Sequence, residues 1–299
     1  CDMLKCTGNM QLASAMSVLL CVLDVAFNYV FIYRLHLGVM GAALGTAVAY
    51  ICTSLPITWF ATCRDKILAL KWDRAPFHWV WNYVMKAVKI SLPIAVQSIL
   101  MSGAQIISTI IVAPLGNVAI AAHSFAITAE SLCYMPGYGI GDAATTLVGQ
   151  TFGAGRSALC RSFARLTVGL GMSVMAAMGA IMYVFAPEMI ALLSPVADIQ
   201  ALGASVLRIE AFAEPFFAAS IVTYSICVGA GDTLRPAIMN LASMWCVRLT
   251  LAAYLARDYG LRGVWMAMAV ELTFRGLLFL YRLFRGNWLK ALEEKAPAA

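Results

Sequence analysis

Apolar residues run along this chain in stretches that reach or exceed the roughly 20 residues a bilayer requires of a helix. Eight such runs, punctuated by charged residues or by Gly and Pro, lie at 12–33, 38–62, 84–112, 118–149, 160–186, 203–228, 236–256 and 261–284. Several are longer than the minimum, so tilted or bent helices are expected, and Pro136 with Gly137, Gly139 and Gly141 predicts one bend. Irregular backbone there is tolerable only where it faces protein or water. The pattern predicts an all-α, polytopic membrane protein with eight transmembrane helices.

Composition sharpens this picture. Of 299 residues, 62% are apolar and 12% charged, about half the charge of an ordinary soluble protein. Mean hydropathy is +0.82. A soluble enzyme is excluded, because so many apolar residues cannot all face one core. The net charge of +6 is scattered through short loops, so no basic stripe for nucleic acid forms. The nine cysteines sit mostly inside apolar runs without Cys-x-x-Cys spacing, and read as small, reduced apolar filler.

The cations set the topology. Fifteen of the 21 Lys and Arg fall in alternate connections on one side, from Lys5 through the basic segment at 63–83 to Lys295. Four (Arg34, Arg208, Arg257 and Arg262) fall on the other, and Arg248 and Arg275 lie within spans. The positive-inside rule then places both termini of the chain in the cytoplasm, in agreement with an even number of crossings.

A repeat is visible in the glycines. Gly8, Gly38 and Gly41 are echoed by Gly231, Gly260 and Gly263 at offsets of 222–223, with Asn9 answered by Asp232 and Met16 by Met239. Each copy reads as a small-residue turn, a span, a Gly turn and a second span. The late copy is preceded by four spans of its own unit and the early copy by almost nothing, so about four further helices are expected in front. Gly41-x-x-x-Gly45 and Gly149-x-x-x-Gly153 are spaced for close helix packing.

Met135-Pro136-Gly137-Tyr138-Gly139-Ile140-Gly141, Leu147-Val148-Gly149-Gln150 with Gly153-Ala154-Gly155, and Gly229-Ala230-Gly231-Asp232-Thr233 together resemble the multidrug and toxic compound extrusion (MATE) family, over residues 3 to about 288. The resemblance implies two six-helix lobes around a central cavity. Residues 1–62 would be the last two helices of the first lobe and 63–83 a cytoplasmic connection. The complete second lobe would follow at 84–286, and a cytoplasmic tail at 287–299 with Trp288 as interface anchor. It implies a secondary antiporter of the inner membrane that exports organic cations or amphiphilic drugs in exchange for H⁺ or Na⁺. No other cofactor, enzyme activity or nucleic-acid partner is implied. Membrane lipid and the transported small molecules are the expected partners, and a monomer the expected state.

Asp24 and Asn28 are one helical turn apart, and Thr46 on the returning helix lies at a similar depth, roughly 12–18 Å from the outer turn. A carboxylate, an amide and a hydroxyl at mid-bilayer offer oxygens to a cation, since an isolated carboxylate in lipid is costly. The set resembles the first-lobe cation site of archaeal-type MATE transporters, with the Asp and Asn order reversed, and either Na⁺ or H⁺ suits it. A hydrogen-bonded tie across the hairpin is the structural alternative. Glu130, Glu210, Glu214, Gln97 and Tyr134 are candidates for the substrate cavity, with Gln105 and Phe217 beside them.

Arg248 and Glu271 sit at matched depth on facing helices and predict a structural ion pair, for which Arg275, four residues after Glu271, competes. A Glu that one family branch carries near Met101 is absent. Asp232 and Thr233 before Pro236 predict an N-cap. A lipid-linked precursor flippase of related design is the rival within transport, favoured by an Arg-rich cavity, for which only Arg248 and Arg275 are candidates. An intramembrane enzyme is disfavoured: His36, His78 and His123 are scattered, no metal-site or nucleophile motif occurs, and no metal other than Na⁺ near Asp24 is expected.

Overall fold

The computed structural model describes Leu4, residues 10–64 and 80–286, and Trp288. Most of the expected connection at 63–83 lies outside the described residues, as do the tail at 287–299 apart from Trp288, and Lys5, Gly8, Asn9 and His78. The chain divides into two compact units, Cys1–Trp79 and Val80–Ala299. All regular structure among the described residues is helical.

The first unit is a helical hairpin. Helix α1 (Met10–Tyr29) ends in a wide π turn at Val30–Arg34, and α2 spans Gly38–Cys63. The turn between them holds His36 and Gly38 at positive φ. A Cβ on Gly41 would lie 2.8 Å from the carbonyl oxygen of Phe31, and one on Gly45 would collide with the Asn28 side chain. These two glycines are what lets α2 lie directly against the α1 backbone, as their spacing predicts. Val18, Val22, Val25, Val39, Leu55 and Trp59 remain exposed on the hairpin, a surface that water would not tolerate.

The second unit contains α3 (Trp81–Val112), α4 (Asn117–Gly153), α5 (Ser157–Leu193), α6 (Ala197–Glu210), α7 (Glu214–Gly229) and α8 (Leu234–Ala242). A π turn at Ser243–Arg248 then leads into α9 (Leu249–Arg285). Six helical runs are long and apolar enough to cross a membrane, and α6 with α7 forms a further pair bent by 59°. The run Leu234–Arg285 is broken at Gly260, whose φ of 57° and ψ of −137° are not helical. Its two segments coincide with the last two expected spans.

Gly38 and Gly260, 222 residues apart, both take positive φ at a hairpin turn. Three residues later Gly41 and Gly263 each lie against a backbone carbonyl of the preceding helix, that of Phe31 and that of Leu255. Two of the three glycine pairs read in the sequence thus share their backbone geometry, and the third involves Gly8, outside the described residues.

Other expectations are refined or corrected. The helix α4 stays helical through Pro136. The missing amide costs one hydrogen bond, and the neighbouring glycines serve packing instead: Gly137 lies against Met175 of α5, and a Cβ on Gly141 would come 2.7 Å from Ser225 Oγ of α7. The sharp break falls at Ala211–Ala213, where Pro215 in the first turn of α7 cannot continue the ladder from α6. In the second small-residue pair Gly149 approaches the Gly229 carbonyl, whereas Gly153 meets nothing. Trp288 is buried, its indole donating to the Leu283 carbonyl at 3.3 Å, so it closes the core rather than anchoring to an interface.

The core combines many alanines with a few large side chains. Ala122, Ala126, Met182, Leu207, Trp265 and Leu272 join α4, α5, α6 and α9, while Val148, Cys160, Val168, Val222 and Ile226 join α4, α5 and α7. Thr145 Oγ1 donates to the Ser225 carbonyl at 3.0 Å and ties α4 to α7. Of the described cysteines, Cys133, Cys160 and Cys227 are buried and Cys21, Cys52, Cys63 and Cys246 exposed.

A Cβ on Gly229 would stand 2.6 Å from the Thr145 carbonyl, whereas one on Gly169 meets nothing within 4 Å. Gly229→Val is therefore expected to destabilise the fold by about 1–3 kcal/mol, with Gly169→Ala neutral or slightly stabilising. Thermal unfolding in detergent checks the contrast, and a similar melting temperature for both variants would contradict it.

Candidate functional site

Two sets of polar residues lie within the helices, one in each unit. In the hairpin, Asp24 and Asn28 share one face of α1. The Asn28 side-chain oxygen lies against Gly45, next in sequence to the half-buried Thr46. Asp24 Oδ1 and Asn28 Oδ1 are both shielded from solvent and have no hydrogen-bond partner. Among the described residues no side-chain hydrogen bond joins Asp24, Asn28 and Thr46, so the tie across the hairpin is not made. Two orphaned acceptor oxygens one turn apart are an arrangement that a cation would complete.

In the second unit a cavity of about 180 Å³ opens between α3, α4, α7 and α9. Glu130, Tyr134 and Tyr138, spaced four apart along α4, form one wall with Ile127 a turn earlier. Met101 and Gln105 come from α3, Phe217 from α7, and Arg248 from the π turn. Met268, Leu272 and Arg275 of α9 complete the lining. Tyr134 packs edge-on against both Tyr138 and Phe217 with ring centroids 5.7 Å apart.

Of the predicted cavity residues, the structure brings Glu130 and Tyr134 together there, with Gln105 and Phe217. Gln97 lies elsewhere, accepting a hydrogen bond from the Tyr224 hydroxyl at 3.0 Å. Glu210 and Glu214 are fully buried outside the lining, and neither carboxylate has a hydrogen-bond partner. The bend between α6 and α7 directs them into the protein, Glu214 lying against Gly179 of α5.

The expected Arg248–Glu271 pair is not formed. Glu271 is bridged by Arg275 Nε at 3.2 Å and accepts a hydrogen bond from Ser243 Oγ at 2.6 Å, so the competing partner one turn away on α9 holds it. The depth count assumed an unbroken α-helix, but the π turn at Ser243–Arg248 changes the phase. It presents Ser243 to Glu271 and sends Arg248 to the cavity, against Met268 Sδ. Arg275 also stacks on Phe217, 5.7 Å from the ring centroid.

Two arginines thus line the cavity, the two that the sequence offered as candidates for an Arg-lined one. Their signal was present in a charge that interrupts an apolar span. His123 is held structurally through Nδ1, which accepts from Trp265 Nε1 at 3.1 Å, while its buried Nε2 has no hydrogen-bond partner. Asp232 pairs with Arg282 and makes no cap: the helix after Thr233 begins without a side-chain hydrogen bond. Among the described residues no cluster of three or more His, Cys, Asp or Glu is placed to hold a metal ion.

Because Glu271 is the hub of this contact, Glu271→Gln, which leaves Arg275 buried without a counter-charge, is expected to destabilise the fold by about 3–5 kcal/mol. Ser243→Ala, which removes one hydrogen bond, is expected to destabilise it by about 1–3 kcal/mol. Urea or thermal unfolding in detergent ranks the two, and the reverse order would contradict the geometry.

Residues 93–254 match the MatE family model. A probable multidrug resistance protein NorM of Thermotoga maritima is 26% identical over 294 residues, covering 96% of this chain and 63% of the relative. A protein of the same description from Pseudomonas aeruginosa is 29% identical, covering 85% of this chain and 54% of its own length. The chain therefore spans a little over half the length of these relatives. The crystal structure of the Vibrio cholerae MATE transporter VcmN has the same fold, with a TM-score of 0.86 over 96% of this chain and 64% of that one, at 17% identity. With more than half of its residues matched by the family model, the chain belongs to the MatE family.

Proposed function

We propose that this chain is part of a secondary antiporter that exports organic cations or amphiphilic drugs against an inward flow of H⁺ or Na⁺. The observation that carries the reading is the pair of shielded, unpartnered oxygens of Asp24 and Asn28 on a hairpin whose exposed residues are largely apolar. A carboxylate there is expensive to leave uncompensated, and an incoming cation relieves the cost. Thr46 on α2 would supply a further oxygen. The cation biases the inward-open state by binding it more tightly than the outward-open one, and the gradient then drives expulsion of the substrate without covalent chemistry.

In this reading residues 1–62 close the first lobe, 84–286 form the second, and 63–83 join them on the cytoplasmic side. The transporter lies in the inner membrane as a monomer with both ends of this chain in the cytoplasm, as the distribution of Lys and Arg supports. Glu130, Tyr134 and the aromatic wall of the second-unit cavity contribute to substrate contact, and the buried Glu210 and Glu214 lie behind them. A second reading, a flippase for a lipid-linked anionic precursor, is favoured by the presence of Arg248 and Arg275 in the same lining.

Efflux from vesicles or cells expressing the full-length protein, with ΔpH and a Na⁺ gradient imposed separately, tests the coupling. Asp24→Asn is expected to lower coupled efflux by about tenfold or more, the loss of more than about 1.4 kcal/mol of differential binding. Undiminished efflux under both gradients would exclude Asp24 as the coupling group.

A further inference from the structure

A further cavity, of about 500 Å³, lies where α5, α6 and the second segment of α9 meet, away from the site described above. From Ala197 to Arg208, one face of α6 lines it at helical spacing, and its alanines leave the volume open. Pro187 of α5 and Arg262, two residues past the Gly260 turn of α9, complete the lining. No acid takes part: Glu188 of α5, Asp198 of α6 and Asp258 of α9 all lie outside it.

Both arginines are tied through Nε and open at the fork. Arg262 Nε donates to Ser205 Oγ at 3.1 Å, and Ser205 lies one turn before Arg208 on the same face of α6. Arg208 Nε donates to the Tyr183 carbonyl at 3.3 Å, with its guanidinium 5.7 Å from the centre of the Tyr183 ring. Among the described residues the terminal nitrogens of both have no hydrogen-bond partner, and no carboxylate lies within 4.0 Å of either. Two like charges on neighbouring turns, their planar forks pre-set by the Nε contacts, are complementary to an anion with several oxygens.

The surroundings select the source of that anion. Tyr183 and Phe212, both exposed, pack edge-on at 5.5 Å beside Arg208, and Leu192 is exposed near the end of α5. Exposed aromatic rings next to arginines are the composition of the boundary between lipid headgroups and chains. We propose that this cavity holds the phosphate of an anionic phospholipid. Arg208 and Arg262 bind the phosphate oxygens through their terminal nitrogens, and the acyl chains lie along Tyr183 and Phe212. With no acid in the lining, nothing pairs with the ammonium of a zwitterionic headgroup, so phosphatidylglycerol is favoured over phosphatidylcholine. The site is separate from Asp24 and from the cavity around Glu130, and it stands or falls independently of the export reading.

Native mass spectrometry of the full-length protein released from detergent, with phosphatidylglycerol and phosphatidylcholine added at equal concentration, reads the occupancy of each. Wild type is expected to hold phosphatidylglycerol about fivefold more tightly or better. Arg208→Gln and Arg262→Gln are each expected to weaken phosphatidylglycerol by about fivefold with little change for phosphatidylcholine, and the double variant to lose the preference. Arg257→Gln removes an exposed charge outside the lining and is expected to change neither lipid. An unchanged melting temperature in lipid-free detergent reports that the variants are folded, and added phosphatidylglycerol is expected to raise it in wild type alone.

Equal retention of both lipids by wild type, an undiminished preference in the double variant, or an equal loss in Arg257→Gln overturns the assignment. Inorganic phosphate in the same assay separates the two sources of the anion. Displacement of phosphatidylglycerol by equimolar phosphate would make this a site for a soluble anion and overturn the lipid, whereas retention of the lipid supports it.

Discussion

In a bilayer the helices of this protein gain little from burying apolar side chains against one another, because lipid is as apolar as leucine, so close approach of backbones has to supply the adhesion. The structure depends on this throughout. Gly41 and Gly45 seat α2 on α1, Gly229 sits on the Thr145 carbonyl, and alanines dominate the contacts of α4, α5 and α9. Where a backbone carbonyl comes within contact of a glycine Cα, no larger side chain fits. The positions that look least informative by composition therefore hold the helix assembly together.

That tight frame makes the buried charges legible as a division of labour. Glu271 is held through Oε1 by Arg275 and Ser243, and Asp232 by Arg282, so both stabilise packing between segments. Asp24, Glu130, Glu210, Glu214 and Arg248 have no opposite charge in contact among the described residues. A charge left without a contact partner in such a medium is expensive, and a transporter that alternates between loaded and empty states needs groups whose partner is the cargo or the coupling ion. Contact with an opposite charge thus sorts the buried acids more clearly than position along the helices does.

Departures from regular helix fall where the polar residues need them. The break between α6 and α7 turns Glu210 and Glu214 inward, and the π turn at Ser243–Arg248 rotates Ser243 onto Glu271 and Arg248 toward the cavity. Pro136, by contrast, is absorbed into a continuous helix, since flanking glycines allow α5 and α7 to pack closely around it. A proline in an apolar span marks weakness in the hydrogen-bond ladder, and whether the helix bends there depends on its neighbours.

The sequence by itself determined the membrane class, the helical segments, the Gly-marked hairpin repeat and the acids worth attention, because each is written in local composition and spacing. Runs of apolar residues set helix length, and a glycine needed at positive φ or at a close approach is specified by its lack of a Cβ, as at Gly38, Gly41, Gly260 and Gly263. Only the tertiary structure decided which charges meet. A single wide turn changes the phase of a helix, and partner choice among Arg248, Glu271 and Arg275 depends on that phase rather than on depth. For the same reason the sequence offered Arg248, Arg275 and Gln97 alike as cavity candidates, and only the fold put the two arginines in the lining and Gln97 outside it: lining a cavity is a property of several helices at once.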